Sequence, residues 1–263
     1  MKGRGCEGTV RDGTEHGDAA RPKDELGRPH CDTCLLDDLN KEMDLLLYAI
    51  SHDLRAPLRS ILGFSRAVVE DYEEALDDVG KDFLQRIHKA GKQLDAYIDA
   101  LLMMSRETRG EMAIETFNLS AMAEEIRADL EARQPERKVD FIIQKEVSAR
   151  ADRRLASTLL RKLFENAWKF TSGINAARIE FGKTEENGAA VYFVTDNGAG
   201  FDMQYARNRL FGVFQRMHQD EEFEGLGMGL ATARRIISRH GGRISATSEV
   251  GKGTTITFSF SGF

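Results

Sequence analysis

The apolar residues of the first 110 positions recur at steps of three and four, a spacing that predicts two long amphipathic helices. The first predicted helix extends from Leu35 to about Asp71, and its apolar stripe consists of Leu39, Met43, Leu46, Ile50 and Leu54. The second follows a short polar link around residues 77–80 and carries Phe83, Ile87, Leu94, Ile98, Leu101 and Ser105. Because the link is short, we expect the two helices to be antiparallel neighbours.

Both apolar stripes are too hydrophobic to stay exposed to water on an isolated hairpin. A four-helix bundle made from two hairpins covers both stripes, so the sequence predicts a homodimer. We therefore expect residues 35–110 to form a helical dimerisation domain.

The pattern changes to mixed helices and strands after residues 109–116, which places a domain boundary near 108–116. Helices are predicted over 119–133, 152–171 and 230–240, and strands over 139–144, 178–181, 191–195, 243–247 and 254–260. We expect residues 115–263 to form a two-layer α/β domain.

Residues 1–34 contain six glycines, mixed charges and few large apolar side chains, a composition that predicts a disordered tail. Cys31 and Cys34 have CxxC spacing and, with Cys6, His16 or His30, offer a zinc site; the alternative is a pair of free thiols. Three cysteines, an odd number, predict no disulfide framework.

The whole chain has a net charge of −6, which argues against a general nucleic-acid binder. It contains no apolar run near the roughly 20 residues that a membrane-spanning helix needs. The first ten residues lack the apolar region of a secretory signal. The sequence therefore predicts a cytoplasmic protein without membrane insertion.

The segment 51–58 places a histidine on the first helix. His52 lies two residues from both Ile50 and Leu54, and at about 100° per residue it points almost opposite to them. We therefore expect an exposed imidazole, which is nucleophilic when neutral. Asp53 is positioned to take the ring proton or to fix the tautomer.

The segment 165–170, near the end of a long helix, combines groups that suit a magnesium–phosphate site. Asn166 offers a neutral amide oxygen for Mg²⁺, and Lys169 lies on the same helix face and can contact a phosphate. Glu165 can orient a water molecule or an incoming histidine. The alternative interpretation is a polar stripe on an amphipathic helix; Trp168 belongs to the core in either case.

Two glycine-containing motifs complete the set. After a strand, Asp196 offers a carboxylate to the exocyclic amine of adenine, and Gly198 and Gly200 allow close backbone approach; the alternative is an ordinary Asn-Gly turn. Before a helix, glycines at alternate positions expose backbone N–H groups to an anion; they are Gly225, Gly227 and Gly229. Their spacing differs from the dinucleotide-binding fingerprint.

The order and spacing of these motifs over residues 36–261 resemble the transmitter core of sensor histidine kinases, especially the phytochrome-like and PAS-linked group. This core joins a HisKA-type phospho-acceptor domain to a HATPase domain with the fold of DNA gyrase and MutL. The resemblance implies the following roles: phosphorylation of His52, magnesium on Asn166, phosphate on Lys169, adenine on Asp196, the γ-phosphate on Arg216 in the lid segment 210–216, and a pocket edge at Thr254.

The resemblance further implies ATP and Mg²⁺ as cofactors, autophosphorylation of His52 and transfer to an aspartate of a response-regulator receiver domain. Residues 1–34 contain no evident sensor domain, so the signal would come from a separate protein or from a longer chain. A catalytically weak dimeric scaffold or pseudokinase that binds receivers is the alternative, followed by an ATP-driven clamp.

Two positions depart from the family pattern. Lys162 replaces an Asn often found four residues before the magnesium ligand, which changes the charge of the pocket. Ala56, four residues after His52, replaces the Thr or Asn often found in members that dephosphorylate their partner, so we expect weak phosphatase activity. We interpret His88, His218 and His240 as structural or surface residues.

Overall fold

The computed structural model describes residues 32–261 except 73, 187, 208, 218–222 and 224. Residues 1–31 of the predicted tail, which include Cys31, and His218 lie outside the described residues, whereas residues 32–34 of that predicted tail are helical. The described part of the chain consists of a two-helix hairpin followed by an α/β domain, so the predicted fold class is confirmed. Its elements are α1 (Asp32–Asp71), α2 (Asp78–Thr108), β1 (Ile114–Asn118), α3 (Leu119–Arg133), β2 (Asp140–Ile143), β3 (Ser148–Asp152), α4 (Arg153–Phe170), β4 (Arg178–Glu186), β5 (Ala189–Asp196), α5 (Met203–Ala206), α6 (Gly229–Arg239), β6 (Ile244–Glu249) and β7 (Gly253–Phe258).

The helix α2 begins inside the segment that the sequence assigned to the link. Asp77 adopts an extended conformation, and its Oδ1 accepts a hydrogen bond of 2.7 Å from the N–H of Gly80. An aspartate in this position satisfies a free N–H of the first turn and stabilises the helix start by about 1 kcal/mol. The helix α2 therefore begins at Asp78, directly after the capping residue Asp77.

The two helices of the hairpin meet along a narrow seam. Among the residues of α1 whose burial the structure describes, the buried ones are Ser51, Leu58 and Ser65, seven residues apart, and Leu58 packs against Ile98 and Leu102 of α2. Seven-residue spacing keeps these side chains on one side of a helix. The seam thus includes Leu58 but not the apolar residues that precede it.

The described part of the predicted apolar stripe of α1 is therefore exposed in a single hairpin. Leu58 is buried within the hairpin, whereas Leu46, Ile50 and Leu54 have 54%, 53% and 44% of their surface exposed. Exposed apolar side chains continue along both helices, with Ile61, Phe64, Val79, Phe83, Ile87 and Leu94 among them. One hairpin alone leaves these apolar side chains uncovered.

The α/β domain is built on a five-stranded sheet with strand order β2-β4-β5-β7-β6. β2 pairs parallel with β4, and the other neighbours are antiparallel. One hydrophobic core joins this sheet to α3, α4 and α6, with Phe164, Phe181 and Phe258 among its largest fully buried side chains. Trp168 is buried, as predicted, and its Nε1 donates to Gln134 Oε1 at 2.8 Å.

Two short strands and one short helix were not predicted from the sequence. β1 and β3 form a separate antiparallel pair in which Ile114 lies opposite Asp152. β1 thus begins inside the predicted domain boundary at 108–116. α5 lies within the polar segment that precedes the glycine motif. In the part of the chain that the structure describes, no helix is long and apolar enough to cross a membrane.

Candidate active site

The helix α4 provides one wall of a cavity of about 380 Å³. Asp152 caps the helix through a hydrogen bond of 2.9 Å from the N–H of Leu155 to its Oδ1. One face of α4 is buried in the core, and this face carries Leu155, Leu159, Leu163 and Phe164. Polar residues of the other face line the cavity: Lys162, Glu165, Asn166 and Lys169.

The glycine segment before α6 forms the facing wall. A Cβ on Gly229 would lie 3.4 Å from Nδ2 of Asn166, and a Cβ on Gly225 would lie 3.4 Å from Nζ of Lys169. Gly227 has a φ of +72°, and a Cβ there would lie 2.6 Å from the carbonyl oxygen of Gln215. The absence of side chains therefore keeps the space beside Asn166 and Lys169 open.

Lys169 and Arg216 bring positive charge to this space. Burial lowers the pKa of Lys169, and the nearby positive charge of Arg216 lowers it further. The Arg216 guanidinium, which also lines the cavity, donates to the carbonyl oxygen of Phe223. An anion bound between Lys169 and Arg216 would attract both side chains and would favour the charged form of the lysine.

Glu165 and Asn166 contribute side-chain oxygen atoms to the cavity wall. Glu165 Oε1 lies 3.8 Å from Nη1 of Arg133. A neutral amide and a carboxylate are suitable ligands for a hard cation that shares its remaining positions with phosphates and water. The residues present therefore fit a magnesium–nucleotide complex.

Asp196 lies at the end of β5 in a second cluster. Its side chain is buried, accepts a hydrogen bond of 2.9 Å from the N–H of Gly198, and has its pKa raised to about 6, chiefly by burial. Thr254 lies opposite Asp196 in the register of β5 and β7. Gly200 has a φ of +59°, and a Cβ there would overlap the carbonyl oxygen of Glu249.

This cluster is joined to the cavity at the end of α4. The carbonyl oxygen of Phe170 accepts a hydrogen bond of 3.0 Å from the N–H of Ala199. A Cβ on Gly198 would overlap the same carbonyl group. Phe170 also lines the cavity, whereas Asp196, Gly198, Gly200 and Thr254 are not among its wall residues. The predicted adenine and phosphate residues are thus adjacent but distinct.

His52 and Asp53 lie apart from the cavity, on α1. Their side chains are 77% and 82% exposed, and His52 Nδ1 is 3.1 Å from Asp53 Oδ1. The predicted exposure of His52 is confirmed. Arg55, one turn later, forms an ion pair with Asp99 of α2, and the next residue, Ala100, lines the cavity. The helix that carries His52 is therefore connected to the cavity through α2.

The contacts that α2 makes near the cavity were not predicted from the sequence. The rings of Tyr97 and Phe214 lie 4.4 Å apart between centroids, and Phe214 has a φ of +59°, which is uncommon for a bulky residue. Lys162 Nζ lies 3.6 Å from Oε1 of Glu107 in the last turn of α2. No local pattern signals such contacts, because they join segments more than 50 residues apart.

The segment between α2 and β1 is held by side chains of the α/β domain. Arg154 donates to the carbonyl oxygens of Glu107 and Arg109, and Arg239 donates to those of Thr108 and Gly110. His240 is structural, as interpreted: its Nε2 accepts a hydrogen bond of 3.0 Å from the N–H of Asp152, and burial lowers its pKa.

Two family models match the chain. Residues 42–110 match the His Kinase A (phospho-acceptor) domain, and residues 151–261 match the histidine kinase-, DNA gyrase B- and HSP90-like ATPase family. The first match contains His52, and the second contains the Asp196 cluster and every lining residue of the cavity except Ala100.

Curated relatives and a solved structure resemble both parts. Cyanobacterial phytochrome B of Nostoc sp. is 31% identical over 226 residues, which cover 85% of this chain and 30% of the relative. Methanogenesis regulatory histidine kinase FilI of Methanothrix harundinacea is 35% identical over 220 residues, 83% of this chain and 24% of the relative. The crystal structure of full-length ShkA in complex with AMPPNP has a TM-score of 0.51 at 22% identity and covers 81% of this chain and 44% of ShkA.

Proposed function

Because the chain belongs to the histidine kinases in both of its domains, we propose that it binds Mg-ATP and phosphorylates its own His52. The chain spans 30% or less of the two relatives described above, so the activity proposed is that of this segment. The division into an acceptor domain over residues 35–110 and a catalytic domain over residues 115–263 is part of the proposal.

The cavity of α4 is the proposed phosphate site. Lys169 and Arg216 face it as cations, and the amides of the glycine segment stabilise negative charge on the moving phosphoryl group. Asn166 is the proposed magnesium ligand, and Glu165 positions a water molecule or the acceptor. Magnesium supplies charge neutralisation on the triphosphate when it is bound.

The neighbouring cluster is the proposed adenine site. A buried carboxylate on Asp196 accepts from the exocyclic amine of adenine, and the glycines Gly198 and Gly200 keep the backbone close. Thr254, opposite Asp196 in the sheet, borders the same pocket. Phe170 joins the two sites, so that one nucleotide extends from Asp196 to Lys169.

His52 is the proposed nucleophile. An Nδ1–H that donates to Asp53 leaves the lone pair on Nε2 free to attack the γ-phosphorus. The new N–P bond forms as the bond to the bridging oxygen breaks and ADP leaves, and the ring proton passes to Asp53 or to water. Since His52 lies apart from the cavity here, the α/β domain must leave its contacts with α2 before transfer.

The exposed apolar face of the hairpin supports a homodimer. Leu46, Ile50 and Leu54 need a partner surface, and a second hairpin provides an identical one. We further propose transfer from His52 to an aspartate of a response-regulator receiver domain, in the cytoplasm, with the signal supplied by a separate or preceding sensor.

Ala56 lies exposed on α1, one turn after His52. A methyl group cannot orient a water molecule by a hydrogen bond, so weak phosphatase activity toward the receiver is proposed. Rapid dephosphorylation of a phosphorylated receiver by an excess of the ADP-bound protein would show this part to be wrong.

The observation that carries the proposal is an exposed histidine in a matched phospho-acceptor domain, joined to a glycine-walled cavity that contains Asn166 and Lys169. Incubation of the full chain with γ-labelled ATP and Mg²⁺ tests it. Label is expected on the wild type and on the His88→Gln control, and not on His52→Gln or Asn166→Ala. ATP binding without label on the wild type would instead support the scaffold alternative.

A further inference from the structure

Lys162 lies between two elements that belong to different domains. Its ammonium nitrogen is 3.6 Å from Oε1 of Glu107 on α2, and the same side chain lines the cavity of α4. The two side chains are largely buried, with 22% and 24% of their area exposed. An ion pair partly withdrawn from water interacts more strongly than a pair on the surface.

The position of Lys162 on α4 directs it toward the proposed phosphate site. It precedes Asn166 by four residues and Lys169 by seven, and residues at these spacings share one face of a helix. All three line the same cavity. Lys162 therefore adds a cation to the wall that contains Lys169, beside the carboxylate of Glu165.

We propose that Lys162 is a further phosphate-contacting residue and that it exchanges the carboxylate of Glu107 for the phosphates of the nucleotide. The inference rests on the proposed binding of ATP. One ammonium group cannot contact both anions fully, so nucleotide binding competes with the Lys162–Glu107 contact. Because linkage is reciprocal, loss of that contact raises nucleotide affinity by the same factor as nucleotide binding weakens the contact.

The exchange acts on the docking of the α/β domain. Glu107 lies on α2, which also provides Ala100 to the cavity wall and Tyr97 to the ring of Phe214. When Lys162 leaves Glu107, the interface between α2 and the α/β domain is weakened. This interface holds the cavity away from His52. Nucleotide binding thus favours the undocked arrangement that transfer to His52 requires.

Calorimetric titration of the full chain with Mg-ADP tests the exchange. We expect Glu107→Gln to bind Mg-ADP at least about threefold more tightly than the wild type and Lys162→Met to bind it less tightly. Glu111→Gln is the matched control, since Glu111 is exposed in the segment after α2 and should leave affinity unchanged. In the Lys162→Met background, Glu107→Gln should have no effect.

The double variant separates exchange from a general electrostatic effect. If Glu107→Gln tightens binding equally with and without Lys162, the carboxylate acts through its long-range field and the proposal is wrong. The proposal is also wrong if Glu107→Gln binds Mg-ADP with the same affinity as the wild type. If the wild type nevertheless binds Mg-ADP and becomes labelled on His52, the proposed function still holds. A wild type that binds no Mg-ADP overturns both.

Discussion

The carboxylate of Asp196 accepts a hydrogen bond of 2.9 Å from the N–H of Gly198 while its side chain is almost entirely buried. Burial disfavours the charged form and raises the pKa of Asp196 to about 6. A buried carboxylate, whose charged form is disfavoured, therefore lies at the position proposed to accept a hydrogen bond from adenine. A group that destabilises the free protein in this way is typical of a binding site.

Asp196→Asn should weaken nucleotide binding. The amide presents an NH₂ group where the carboxylate has a second acceptor, and this group opposes the adenine amine. We expect Mg-ADP affinity to fall by at least about tenfold, as for a lost hydrogen bond to a buried group. Calorimetry on the folded variant measures this, with Asp202→Asn, at the exposed start of α5, as the control. Unchanged affinity would remove Asp196 from the adenine site.

The same substitution should stabilise the protein in a pH-dependent way. The folded pKa of Asp196 lies above its ordinary value, so its contribution to stability is fully present below the unfolded pKa and is lost as pH rises through about 6. Relative to the wild type, Asp196→Asn should gain about 1–3 kcal/mol between pH 4 and 6, and the difference should level off above pH 6. Thermal unfolding of both proteins across this range measures it. A difference that does not vary with pH contradicts the account.

Gly200→Ala should destabilise the α/β domain. Gly200 has a φ of +59°, and a Cβ there would overlap the carbonyl oxygen of Glu249. Strain and backbone displacement together should cost more than about 2 kcal/mol. Gly173→Ala is the matched control, because a Cβ at Gly173 meets nothing within 4 Å. Equal unfolding temperatures for the two variants would show that the close approach at Gly200 is not needed.

Arg239→Ala should expose the segment between α2 and β1 to proteases. Arg239 holds the carbonyl oxygens of Thr108 and Gly110, on either side of a trypsin site at Arg109. Loss of both hydrogen bonds should increase local opening and speed cleavage after Arg109 severalfold. Limited trypsin digestion followed by mass spectrometry measures the rate. The control is Arg234→Ala, on the exposed side of α6, for which we expect the wild-type rate.

Helix ends and core faces of the α/β domain were predictable because local signals mark them. Asn118 and Asp152 cap α3 and α4 through their side chains, and the predicted helix over 119–133 has the observed ends. β3 was missed because its buried residues include Ala149 and Ala151, which lack the branched side chains typical of strands. Its pairing with β1 joins residues that lie 30 to 38 positions apart in sequence.

The proposed site was predictable where a motif is continuous in sequence. Asn166, Lys169 and the glycine segment meet at one cavity because α4 and the start of α6 pack side by side. The contribution of α2 was not predictable. Tyr97 and Glu107 contact Phe214 and Lys162 because the hairpin packs against the α/β domain, and no local pattern specifies that geometry.

The most direct test of the account is the position of the phosphoryl group after incubation with Mg-ATP. Wild-type protein should carry one acid-labile phosphate on an imidazole nitrogen, and peptide mass spectrometry at neutral or alkaline pH should map it to His52. His52→Gln should still bind Mg-ADP with wild-type affinity and should carry no phosphate. A phosphate that persists in His52→Gln, or that maps to another residue of the wild type, would contradict the central claim.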